Sequence, residues 1–429
     1  MKILSLKARE ILDSRGVPTV EAILETDGGL FKASVPSGTS TGKYEAFELR
    51  DNDERFFGKG VLKAVKNIEK KIAEAILNKD FSSQKDLDDF LIKLDATENK
   101  SHLGANAILA VSMAGCRAFA CEKNQELFEF IAVEARFLGG PKPSFNSPNS
   151  PEIWLPTPCF NIIEGGKHAG NNLEVQEFMA VPFLESFAEN LRSGAEVYYH
   201  LKLLLIKNFG ETAMNTGYES GFAPAFKKTE TAFEFLLKAI QKAGYEGKFK
   251  IGLDIASSEL LYKEKYRINA KFFSPKKLAD YYLKLYHNYP IAFIEDGFGQ
   301  DDLTGWRGLE SGIKNQELGI IVVGDDLTAT NPERIKMAQE KNLCNAVIIK
   351  LNQIGSVTEA INAANLAKSF NWKVIVSHRS GETNDDFIAD FAVGIGADFI
   401  KTGAPAGGER VAKYNRLLEI EKELLKLGF

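Results

Sequence analysis

Phe249-Lys250-Ile251-Gly252-Leu253-Asp254 is a short apolar run ending on a carboxylate, and it decides the fold because the same figure returns along the chain. Ile291-Ala292-Phe293-Ile294 precedes Glu295, Ile320 to Val323 precedes Asp325-Asp326, and Ala346 to Ile349 precedes Lys350. Val374 to Val376 runs into Ser377-His378-Arg379, and Phe399-Ile400 into Lys401. Two earlier runs, Cys159 to Ile163 and Phe178 to Val181, complete a set of eight. Short β-branched or apolar runs read as buried strands, and the amphipathic segments between the later ones, such as Pro275 to His287 and Val357 to Phe370, have helical length. Eight strands with intervening helices predict a (β/α)8 barrel. Its active site lies at the carboxyl ends of the strands, where the charged residues fall here.

The first two runs are too close for a crossover helix, so that pair is expected to be antiparallel. Two helical segments follow in succession, roughly Leu184 to Phe209 and Thr229 to Gly244. The barrel is therefore of the irregular ββαα(βα)6 type. Upstream, residues 1–36 read as β. Val20, Ala22 and Leu24 alternate with Glu21 and Glu25, Asp27-Gly28-Gly29 turns the chain, and Leu30 to Val35 returns. The period then becomes helical, with Val61, Val65, Ile68, Ile72 and Ile76 on one face and further helices at about Ser82 to Leu94 and Asn106 to Ala120. Strands first and helices afterwards make residues 1–138 an α+β capping domain, and residues 139–429 the barrel domain. The Pro-, Ser- and Asn-rich stretch Pro141 to Pro156 is the expected linker or loop between them.

Composition excludes several classes. The 429 residues carry 53 Lys and Arg against 58 Asp and Glu, a net charge of -5 that argues against nucleic-acid binding. With 44% hydrophobic and 26% charged residues, the chain is an ordinary globular one. No apolar stretch is long enough to span a bilayer, and the N-terminus lacks the apolar core of a secretory signal. Cys116, Cys121, Cys159 and Cys344 are too scattered for a disulfide scaffold or a Cys-x-x-Cys zinc site. A soluble protein of a reducing compartment is the expectation.

Asp254, Glu295 and Asp325 each end a barrel strand. Three carboxylates converging on one mouth repel unless a cation is present, and hard oxygen ligands favour Mg²⁺ over zinc. Singly, each could equally be a helix cap or half of a surface ion pair. Lys350 and Lys401 share the mouth, where like charge and burial would lower a lysine's pKa and allow general-base action; each is otherwise a counter-ion. His378-Arg379-Ser380 offers donors for a phosphate or carboxylate. Glu177 and Glu219 are candidate acids, and His168 lies in the glycine-rich stretch Gly165 to Gly170, where a lone histidine is by itself a weak signal. Gly38-Thr39-Ser40-Thr41-Gly42-Lys43 is not a phosphate loop, because its glycines are too close and Tyr44 follows the lysine; it suits a mobile loop closing over a site.

Together these segments resemble enolase, phosphopyruvate hydratase. The resemblance runs from Ala8-Arg9 to the C-terminal helix, and its most specific stretches are Ser37 to Gly42, Gln176-Glu177-Phe178-Met179, Gly252 to Glu259 and Ile294-Glu295-Asp296. Asp325-Asp326-Leu327-Thr328, Lys350 to Gly355, Ser377 to Thr383 and Ile400-Lys401-Thr402-Gly403 continue it. It implies that Asp254, Glu295 and Asp325 bind a first Mg²⁺, and that Ser40 helps bind a second once substrate is present. It further implies that Lys350 takes the C2 proton of 2-phosphoglycerate, and that Glu219, with Glu177 beside it, protonates the departing C3 hydroxyl. Lys401 meets the substrate carboxylate, Arg379 and Ser380 hold the phosphate, and His168, Gln176 and His378 line the pocket. A cytoplasmic homodimer working in glycolysis, and in reverse in gluconeogenesis, is the corresponding expectation.

The chain also departs from the family pattern. Val17 stands where Asn is usual, Tyr218 for Asp, Ser220 for Gly, Glu164 for Asn, Lys167 for a small residue, and Gly407-Gly408 for Arg-Ser. None is an implied metal ligand or the base. Besides 2-phosphoglycerate dehydration, two readings stay open: a related lyase acting on another phosphorylated or phosphonylated hydroxy acid, and a non-enzymatic binding protein built on the same frame.

Overall fold

The computed structural model describes residues 1–39, 42–140 and 154–426. Three antiparallel strands, β1 (Ile3–Leu12), β2 (Pro18–Thr26) and β3 (Gly29–Ser34), form a meander. The helix Ala105–Glu122 packs across β2 and β3 and is buried almost all round, because Ala, Ile, Val and Met fill every face of it. The helices Gln84–Asp95 and Leu127–Phe137 flank it, and the segment from Leu62 to Ile76 runs helically with one wider turn at Asn67–Ile72. The sequence reading missed Leu127–Phe137, since its apolar residues are too many to show a clear stripe.

Downstream, β4 (Thr157–Glu164), β5 (Glu177–Pro182) and β6 (Phe249–Asp254) open the barrel. A small sheet of β7 (Leu261–Tyr262), β8 (Lys265–Ile268) and β9 (Lys271–Phe273) sits on the connection that follows; the sequence reading did not anticipate it. Then come β10 (Ile291–Glu295), β11 (Ile321–Gly324), β12 (Ala346–Ile349), β13 (Lys373–Ser377) and β14 (Phe399–Gly403). The barrel closes in the order β10-β11-β12-β13-β14-β4-β5-β6. β4 pairs antiparallel with β5, and β5 with β6, while the other barrel pairs are parallel. Helices Phe187–Phe209 and Thr229–Lys242 separate β5 from β6, which gives the expected ββαα(βα)6 order.

Alternate strand residues face two ways. Phe160, Ile162, Phe178, Leu253, Val347 and Ile400 join the large core under the helices. Cys159, Met179, Phe293, Val323, Ile348, Ile375 and Phe399 form a separate cluster that plugs the barrel interior. Gly252 makes room for that plug, since a Cβ there would come within 2.3 Å of the Phe293 ring. The helices are started by their own side chains. Ser186 accepts from the Glu189 N–H, Ser356 from that of Glu359, and Pro275 and Pro332 open theirs.

The meander and its helices are anchored over the barrel mouth. Arg117 pairs with Asp385 at 2.9 Å, and Thr358 N–H donates to the buried Asp88 at 2.9 Å. Ser37 and Gly381 exchange both backbone hydrogen bonds at 2.8 and 2.9 Å, which lays the chain after β3 across the mouth.

Candidate active site

The barrel geometry explains why residues distant in sequence meet. Asp254 ends β6, Glu295 ends β10, Asp325 follows β11, Lys350 follows β12, and His378-Arg379-Ser380 follow β13. Because β5 runs antiparallel, its first residue, Glu177, falls at the same mouth, in register with Glu164 and Asp254. One small pocket is lined by His168, Gln176, Glu177, Glu219, Asp254, Asp325, Lys350, His378, Arg379, Ser380 and Lys401. Glu295, fully buried, lies beneath it and reaches it through Lys401. Ser40 lies outside the described residues, although Gly38 and Thr39 line the pocket. The sequence-predicted residues that are described thus come together.

Lys401 is the hub. Its ammonium lies 2.9 Å from Glu177 Oε2, 3.2 Å from Asp254 Oδ2 and 2.9 Å from Glu295 Oε2. Burial alone would lower its proton affinity, but these carboxylates outweigh burial and hold it charged. Lys350 pairs with Asp325, whose other oxygen accepts from Gln353 at 2.9 Å. Burial acts to lower the Lys350 proton affinity, as the sequence suggested, but the adjacent Asp325 raises it more, so the net shift is upward. Position along the chain shows which charges share a mouth, but not which of them touch.

Around Glu219 stand two histidine rings, a second acid and Asn161, whose Nδ2 donates to Glu219 Oε2 at 3.0 Å. His378 Nε2 stands 3.2 Å from Glu219 Oε2, and His168 Nδ1 stands 3.5 Å from Oε1 and 3.4 Å from Glu177. Neither ring nitrogen makes a well-aligned hydrogen bond there among the described residues. Burial pushes His378 down to about 3 and lowers His168 as well. Burial and the Glu219 charge push Glu177 well above the usual carboxylate range. Glu219 is raised by burial, but His378 and His168 draw it below the ordinary carboxylate range.

The arginine–serine arm is built from both parts of the chain. Arg379 Nη1 donates to Glu45 at 2.9 Å and to Asn352 at 2.9 Å, and Ser380 Oγ meets Thr39 Oγ1 at 2.6 Å. Arg410 is fully buried; it contacts His378 and donates to the carbonyls of Arg379 and Ser380, both at 2.7 Å. Sequence reasoning missed Glu45 and Arg410. Glu45 follows the loop by three residues and carries no motif of its own, and Arg410 lies inside a helix whose charge pattern reads as solvated.

The donor set fits a hard dication. Acids outnumber bases around the pocket, their oxygens are hard ligands, and burial with mutual repulsion raises Glu295 well above its ordinary range. Asp296, Asp325 and Asp326 bring their oxygens within 4.8 Å of one another, closer than the expected trio of Asp254, Glu295 and Asp325. Asp296, however, already accepts from the backbone N–H groups of Asp325 and Asp326 at 3.0 and 2.8 Å. Asp325 is likewise engaged, by Lys350 and Gln353, which leaves Asp326 as the open carboxylate of the tighter triad among the described residues.

A closed barrel with an antiparallel first hairpin, roofed by an α+β unit over a mouth of carboxylates and lysines, is the build of a barrel lyase. Residues 152–428 match the family model described as enolase, C-terminal TIM barrel domain, and residues 3–131 match enolase, N-terminal domain. The chain belongs to the enolase family. No helix among the described residues is long and apolar enough to cross a membrane.

Proposed function

We propose that the protein dehydrates 2-phosphoglycerate to phosphoenolpyruvate, with Mg²⁺ held by Asp254, Glu295 and Asp325 and a second ion assisted by Ser40. The observation that carries this reading is a lysine and a pair of acids facing one small pocket that also presents an arginine–serine arm. In the reaction, Lys350 Nζ takes the C2 proton. The electron pair moves into the C2–C3 bond, and the C3 hydroxyl leaves as water on receiving a proton that Glu219 takes up from Glu177 and passes on. Lys401 and Gln176 orient the substrate carboxylate end, Arg379 and Ser380 the phosphate, and His168 and His378 give the leaving hydroxyl polar neighbours. Asp254, Glu295 and Asp325 would hold Mg²⁺, which when bound would supply positive charge for the extra negative charge that builds at the substrate carboxylate as the C2 proton leaves. Phosphate binding by Arg379 displaces Glu45 from its guanidinium.

With the resemblance, the same reading supports a role in glycolysis, reversible in gluconeogenesis, for a cytoplasmic homodimer. The capping domain is 1–138 and the barrel domain 139–429. A second reading has one specific support. Val17 and Tyr218, both departures from the family pattern, line an adjoining cavity of about 690 Å³ that shares Gly38, Thr39 and Glu45 with the pocket. Such space suits a larger phosphorylated or phosphonylated hydroxy acid. Absorbance at 240 nm on adding 2-phosphoglycerate and Mg²⁺ decides between them. Growth of the enol signal supports the first reading; silence together with tight phosphonate binding supports the second.

A further inference from the structure

Glu164 ends β4, is fully buried, and has no task in the reaction written above. It is absent from the described pocket lining. Its carboxylate reaches instead into the turn 217–221, which carries Glu219. The Gly221 N–H donates to Oε1 at 2.6 Å, and the Glu219 N–H is shared between Oε1 at 3.1 Å and Oε2 at 3.2 Å. The turn is cleared to admit it. A Cβ on Gly217 would fall 2.3 Å from Oε2, and one on Gly221 would fall 3.0 Å from Oε1. Between them Ser220 holds φ at +67°, a left-handed conformation disfavoured for a residue with a Cβ, so the turn needs external restraint. Arg410 and Tyr198 hold the carbonyls of Tyr218 and Ser220 at 3.0 and 2.8 Å, but among the described residues only Glu164 holds the N–H groups of Glu219 and Gly221.

We propose that Glu164 is a positioning residue, whose carboxylate fixes the backbone of the 217–221 turn and thereby aims the Glu219 carboxyl at the reacting atoms. The inference rests on reading Glu219 as the acid. Losing the clamp strands two buried N–H groups, and the turn must reorganise to satisfy them. Burial and the Glu219 charge raise the proton affinity of Glu164, while the N–H contacts and Arg410 oppose this. Lys350, three strands away around the barrel, is not touched by the clamp.

The test pairs Glu164→Gln with two readouts. Dehydration of 2-phosphoglycerate should fall tenfold or more, while exchange of its C2 proton with solvent deuterium, which needs only the base, stays within twofold. Equal loss of both, or loss of neither, would overturn the proposal, since a merely structural role lowers the two together. The second readout needs no substrate. In the unmutated protein, hydrogen exchange of the Glu219 and Gly221 amides should be about 100-fold or more slower than in free peptide, and in the variant that protection should drop locally. Unprotected amides in the unmutated protein, or full protection in the variant, would refute the clamp even if the variant folds poorly or 2-phosphoglycerate proves not to be the substrate. If the unmutated protein is silent toward 2-phosphoglycerate, the proposed reaction fails and the amides still decide the clamp.

Discussion

Replacing Lys401 with Met removes one positive charge from among Glu177, Asp254 and Glu295, each within 3.2 Å of it, and keeps most of the side chain's volume. The buried acids cannot all stay ionised without it, so the folded variant must take up about one extra proton. Protonating a carboxyl of ordinary pKa near 4.3 costs about 1.36 kcal/mol per pH unit, hence about 3.7 kcal/mol at pH 7 and about 1 kcal/mol at pH 5. The folded variant binds more protons than its unfolded chain, so its stability relative to the unmutated protein falls as pH rises over this window. The assay is urea unfolding of both proteins at pH 5 and pH 7, with and without Mg²⁺. The destabilisation should be several-fold larger at pH 7, and Mg²⁺ should reduce it by supplying the missing charge. A loss below about 1 kcal/mol at pH 7, or one independent of pH, would refute the picture of Lys401 as counter-charge to a buried acid cluster.

Asp325→Ala should abolish turnover at any Mg²⁺ concentration while leaving the far-UV circular dichroism spectrum unchanged; retained turnover would remove Asp325 from the site. Gly194→Ala drives a Cβ to 2.2 Å from the Phe160 ring, and overpacking of this kind should cost about 1–3 kcal/mol, read by urea unfolding. His378, pushed down to about 3, is neutral in the folded state and protonates near 6.5 once unfolded. Its contribution to stability is therefore lost as pH falls from about 6.5 toward 3, and NMR of the imidazole carbons should show no titration near pH 6.5.

The barrel was legible because strand ends at its mouth carry charge while the strands themselves are apolar, so Asp254, Glu295 and Lys350 announce both the fold and the place of the site. The antiparallel β4–β5 hairpin followed from spacing alone. The β7–β9 sheet was hidden because its strands are two to four residues long and mostly exposed, leaving too little alternation to read. The state of Lys350 was hidden for a different reason. Burial and like charge are properties of a neighbourhood, whereas the contact with Asp325 that reverses their effect depends on side-chain placement. Glu164 shows the same limit. Sequence marks it as unusual, but only the turn it grips gives that difference a physical meaning.

The central claim is that Lys350 handles the C2 proton and Glu219 the departing hydroxyl. NMR of deuterium incorporation at C2 of 2-phosphoglycerate, run beside the rate of enolpyruvate formation, separates the two. Glu219→Gln should still exchange the C2 proton while dehydration fails, and Lys350→Ala should lose both. Exchange abolished in Glu219→Gln but retained in Lys350→Ala would contradict the assignment of base and acid.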